Sequence, residues 1–69
     1  MAEDFFINQK GRKEVVIGGV RLLLDFSKEE IVVRIRNGTI RVVGEKLFIE
    51  RFDVNEIIIH GKISAIHYE

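Results

Sequence analysis

From Glu14 onward the chain alternates apolar and polar positions in short runs of Val, Ile, Leu and Phe. A turn signal interrupts the pattern every five to eight residues. A period of two places successive side chains on opposite faces of an extended chain, so this rhythm predicts strands and hairpins rather than helices. The expected strands are residues 14–17, 20–26, 31–36, 39–43, 46–52, 56–59 and 62–68. They are joined at Gly18-Gly19, residues 27–30, Asn37-Gly38, Gly44-Glu45, residues 53–55 and His60-Gly61. The fold class that follows is all-β: an antiparallel meander of about seven short strands forming a small sandwich or open barrel.

Two of these connections carry enough turn chemistry to set a register. Asn37-Gly38 suits a type I′ turn, which needs positive φ at both central residues, and Gly44-Glu45 has the leading glycine of a type II′ turn. Two-residue turns at both sites place Val33, Val42 and Leu47 in one row and Ile35, Ile40 and Ile49 in the next, giving a wholly aliphatic face. The opposite face then carries Arg34 across from Arg41, with Arg36, Phe48 and Glu50 around them. A slip of one residue would scramble the two faces.

Two segments resist this pattern. Ser27-Lys28-Glu29-Glu30 imitates a helix capping box, yet the β-branched run Ile31-Val32-Val33 that follows favours at most a single helical turn. Residues 1–10 form an N-terminal arm outside the alternation, ahead of one β domain over residues 11–69. Within the arm, Phe5-Phe6-Ile7 fits an edge strand, a short helix or a mobile segment with an apolar anchor.

Length changes the picture next. A chain of 69 residues makes one domain and buries only about 60% of its unfolded surface. Small domains compensate with disulfides, metals or self-association, and the absence of cysteine removes the first, together with thiolate metal sites. A homo-oligomer is therefore expected. Eleven basic residues balance eleven acidic ones, so no global field draws the chain to nucleic acid or an anionic membrane. No apolar run approaches the roughly 18 residues of a membrane span. The acidic start, Met1-Ala2-Glu3-Asp4, lacks the basic region of a signal peptide, and a soluble cytoplasmic protein is expected.

Candidate chemistry is sparse. Ser27, Ser64 and Thr39 are the available hydroxyl nucleophiles, and His60 and His67 the only bases of suitable pKa. Ser64 and His60 are expected across a hairpin from one another, without a nucleophile elbow or oxyanion loop. His60 and His67 with Glu56 or Glu69 do not match zinc-ligand spacing, and Gly18-Gly19 lacks the following helix of a phosphate site. No enzyme, cofactor or metal is expected. The constellation that remains is the face of Arg34, Arg36, Arg41, Phe48 and Glu50. Like charges facing each other destabilise a sheet unless something compensates, so this face is the candidate interaction surface for an acidic protein partner or a second copy. A small nucleic-acid-binding barrel, with Phe48 as stacking platform among the arginines, is the alternative.

The ordered set of turn and strand residues also carries a family likeness. It consists of Gly11-Arg12, Val16-Ile17-Gly18-Gly19-Val20, Phe26, and the stretch Gly38-Thr39-Ile40-Arg41-Val42-Val43-Gly44-Glu45. Leu47-Phe48-Ile49 and Glu56-Ile57-Ile58-Ile59-His60-Gly61-Lys62-Ile63 follow, with Ile66 and Tyr68. In these residues the chain resembles the YabP/YqfC family of small sporulation proteins from endospore-forming bacteria. The resemblance implies a non-enzymatic structural or adaptor protein in the mother-cell cytoplasm during spore formation, with a membrane-protein partner for some members. It implies no catalytic residues, and it makes Gly19, Gly38, Gly44 and Gly61 structural positions, beside Asn37 as a turn residue.

Overall fold

The computed structural model describes residues 5–69. Six strands are present: β1 (Phe6–Lys10), β2 (Glu14–Gly18), β3 (Leu22–Phe26), β4 (Glu30–Ile35), β5 (Gly38–Asp53) and β6 (Glu56–Tyr68). They form one antiparallel sheet in the order β1-β2-β6-β5-β4-β3, which does not close on itself. The all-β antiparallel expectation holds. Six strands replace seven because the segments expected at 39–43 and 46–52 run together as β5 and those at 56–59 and 62–68 as β6, while β1 adds a strand ahead of the expected set. Phe6 and Ile7 adopt the edge-strand option, as part of β1 paired with β2. The remainder of the N-terminal arm, residues 1–4, lies outside the described residues.

The two long strands bend sharply. At about 3.3 Å per residue the 16 residues of β5 would extend roughly 53 Å, whereas the longest dimension of the molecule is 34 Å. The bend falls where the ladder between β5 and β6 loses register, at Val43/Gly44 and again between Glu45 and Phe48. Lys46 and Gly61 take φ of 54° and 137° there. Neighbouring loops hold this corner. The amides of Gly44 and Leu47 donate to the carbonyls of Glu29 and Lys28, and those of Gly61 and Ile63 donate to Lys13 and Arg12. One half of the sheet therefore comprises β1, β2 and the adjoining halves of β6 and β5; the other comprises β3, β4 and the remaining halves.

Folding the sheet at this corner closes its inner face on itself. Val15, Ile17, Ile57, Ile59 and Leu47 from one half meet Ile31, Val33, Ile35, Ile40, Val42 and Ile63 from the other, all 2% exposed or less. No polar side chain is buried among the described residues. The rows Val15–Ile59–Ile49 and Ile31–Val42–Ile66 show the alternation at work, because each cross-strand pair puts branched aliphatics on the same side.

Both registers drawn from turn chemistry need correction. The first hairpin turns on Arg36-Asn37, with Ile35 paired to Gly38 and Val33 to Ile40. Neither turn residue has positive φ, so the type I′ assignment for Asn37-Gly38 fails. Gly38 is instead a strand residue lying against Tyr68: a Cβ there would stand 2.9 Å from the ring. The shift is two residues, and a two-residue shift preserves which face each side chain occupies. Val33, Ile35, Ile40 and Val42 are buried as expected. The second turn, Gly44-Glu45, does not form, and His60-Gly61 is likewise a bend inside β6 rather than a connection. The hairpin expected at 53–55 does form, turning on Val54-Asn55 with Asn55 at φ 64°.

Candidate interaction surface

The loss of the second turn separates the residues of the expected arginine face. Arg34 and Arg41 share the outer face of the half built on β3 and β4, but they are not opposite each other. Arg34 pairs with Thr39 and Leu22, and Arg41 with Val32 and His67, which makes the two arginines diagonal neighbours. Arg41 is compensated within the chain. Its Nε lies 3.1 Å from Glu30 Oε2 and a terminal nitrogen lies 3.6 Å from Glu69 Oε1. These are ion pairs without hydrogen-bond alignment at Nε. Arg34 is exposed and makes no ion pair among the described residues. Arg36 lies in the turn at the end of the same hairpin.

Phe48 and Glu50 lie beyond the corner, on the outer face of the other half. Phe48 pairs with His60 and their rings stack at 5.5 Å between centroids. His60 Nε2 contacts Glu50 and stands 3.9 Å from Glu14 Oε1. Phe48 meets His60 rather than the arginines because the strand continues through Gly44 instead of returning. Arg34, Arg36, Arg41 and Phe48 therefore do not form one platform.

Among the hydroxyl candidates, Ser27 takes part in a turn. Ser27 Oγ accepts from the amides of Glu29 and Glu30, at 3.3 and 3.0 Å, and donates to the Glu30 carbonyl. The capping-box pattern thus performs its chemistry inside the β3–β4 turn. Thr39 exchanges two backbone hydrogen bonds of 2.8 Å with Glu69, tying down the C-terminus. Ser64 and His60 are four residues apart along β6, not across a hairpin. No group of three or more His, Cys, Asp or Glu is arranged to hold a metal ion among the described residues.

Five of the nine exposed large apolar side chains among the described residues lie on the two edge strands; the others, Phe48, Phe52, Val54 and Tyr68, lie on β5, on β6 and in the turn between them. Strand β3, at one end of the sheet, leaves Leu22, Leu24 and Phe26 about half exposed. Strand β1, at the other end, exposes Phe6 and Ile7. The ring of Phe6 lies over Gly18, its cross-strand partner, in the space a Cβ would fill. Phe5 stacks on Tyr68 at 5.3 Å, bridging the two halves of the sheet. The exposure of β3 had a signal in the sequence. Three consecutive leucines at 22–24 cannot all face one side of a strand: Leu22 and Leu24 are exposed and Leu23 is half-buried. A β-bulge lies between Leu23 and Asp25.

These features define a small, bent, all-β domain with apolar edges and, among the described residues, no helix to span a membrane. The model of the YabP family matches residues 3–69, and the chain belongs to that family. Membership makes it a sporulation-related small protein. No curated protein and no solved structure matches the chain.

Proposed function

We propose that this chain is a non-enzymatic structural or adaptor protein of spore formation, working in the mother-cell cytoplasm by associating with itself or with a protein partner. The observation that carries this reading is the placement of large apolar side chains on strands that are hydrogen-bonded on one side only. Soluble proteins usually blunt such edges with charge, proline or a cover. Leu22, Leu24 and Phe26 on β3, and Phe6 and Ile7 on β1, leave apolar surface at both ends of the sheet. Family membership supplies the sporulation context. A membrane protein of the same cell fits this reading as a partner.

The test is an affinity capture from sporulating cells, with and without the double substitution L22K/L24K, paired with light scattering of the purified chain. Association that the double substitution abolishes, while the β spectrum is kept, supports the reading. A monomer that captures nothing overturns it.

A further inference from the structure

We propose that the free edge of β3 is a self-association site, where a second copy of this chain adds its own β3 antiparallel about a two-fold axis through Leu23. This deepens the association reading above and rests on it. Three observations on the strand converge. First, β3 ends the sheet and is paired only with β4. Second, Leu22, Leu24 and Phe26 are 52%, 46% and 54% exposed, more apolar surface than a solvent-facing edge of five residues ordinarily carries. Third, the charges flanking the leucines are self-complementary. Arg21 and Asp25 stand two residues either side of Leu23, and neither makes an ion pair among the described residues. An antiparallel pairing centred on Leu23 sets Arg21 of each copy opposite Asp25 of the other, twice, and Leu22 opposite Leu24. Moving the centre by one residue either way leaves all four charges without opposite partners. Strand β1, the other edge, has only Lys10 as a charge among its residues and offers no such match.

The same residues discriminate against other strands. The Asp25 carboxylate accepts the Phe26 amide at 2.8 Å, and the bulge beside it distorts the ladder. Both are devices that blunt an edge. An arginine arriving opposite Asp25 competes for that carboxylate and releases the amide for pairing. A strand without a cation at that position leaves the amide occupied. The edge is therefore keyed to its own sequence.

The experiment is a charge swap read by sedimentation equilibrium or light scattering over a concentration series. Arg21→Asp and Asp25→Arg should each weaken the dimer at least about tenfold in Kd, and the chain carrying both should return to within about threefold of the original. A double variant as weak as the singles, or singles without effect, overturns this site while leaving association elsewhere intact. A wild-type chain that remains monomeric up to roughly millimolar concentration overturns both the site and self-association. Both residues are exposed, so unchanged far-ultraviolet dichroism of each variant verifies that folding is not what was measured.

Discussion

The backbone carbonyl of Lys62 occupies the space into which a Cβ on Gly44 would project. This contact is the corner of the molecule. The residue that brings β5 into close contact with β6 is the one where both strands change direction. Gly61 makes the reciprocal approach, 2.7 Å from the Lys46 carbonyl and 2.8 Å from the Leu47 Cα at its missing Cβ, and its φ of 137° is closed to other residues.

Gly44→Ala is accordingly expected to be severe, since the obstructing atoms are backbone and cannot rotate away. A loss of about 3 kcal/mol or more is the scale for overpacking against an unyielding neighbour. A 69-residue domain has a total stability of roughly 3–10 kcal/mol, so the variant should lose a third or more of it and unfold at a markedly lower urea concentration by circular dichroism. Stability within about 1 kcal/mol of wild type in urea would mean that the corner can open.

Gly18→Ala presents the opposite case. What a new Cβ meets there is the ring of Phe6, a side chain at an exposed edge that can swing aside. We expect a cost of about 1–2 kcal/mol in wild type. In a Phe6→Ala background the same substitution should cost clearly less, because the obstruction has been removed. A double-mutant cycle with no coupling would place the ring elsewhere in solution.

Arg41→Ala should cost less than about 1 kcal/mol, since both of its ion pairs are substantially solvent-exposed. The loss should shrink further as salt is raised. Chemical denaturation with urea at low and high ionic strength measures it, and a salt-independent loss would mean that the aliphatic stem, not the charge, carries the effect.

In the core, Ile59→Val should cost about 0.5–1.5 kcal/mol and Ile59→Ala about 2–5 kcal/mol. Both variants should fold, with the alanine variant melting far below the valine variant. Thermal unfolding followed by dichroism separates the two outcomes.

The aliphatic face was legible residue by residue, while the candidate surface was not. Val33, Ile35, Ile40 and Val42 are buried because alternation in a strand decides which face a side chain occupies, and it survives a shift of two residues in register. Leu47 is buried as well, but at the corner of the sheet and not by way of a turn at Gly44-Glu45. Arg34 and Arg41 were assigned to a common face for the same reason, and they share it. Phe48 and Glu50 belong to that face only if the chain turns at Gly44-Glu45, and it does not. The ambiguity lies in Gly44. Glycine serves both a tight turn and a close approach of two backbones, and the residues on either side of Gly44 read identically in the two cases.

By itself, then, the amino-acid sequence determined the strand period, the division of residues between core and surface, and the absence of long helices, all properties of local alternation. Only the tertiary structure decided that Gly44 and Gly61 are bends, that Phe48 stacks on His60 rather than Arg41, and that β3 is left at an edge. Each of these depends on what lies distant in sequence: the Lys62 carbonyl behind Gly44, β6 beside β5, and, among the described residues, no strand beyond β3. Local patterning carries no information about which distant strand arrives, because many pairings bury the same aliphatic face and only the packed chain selects among them.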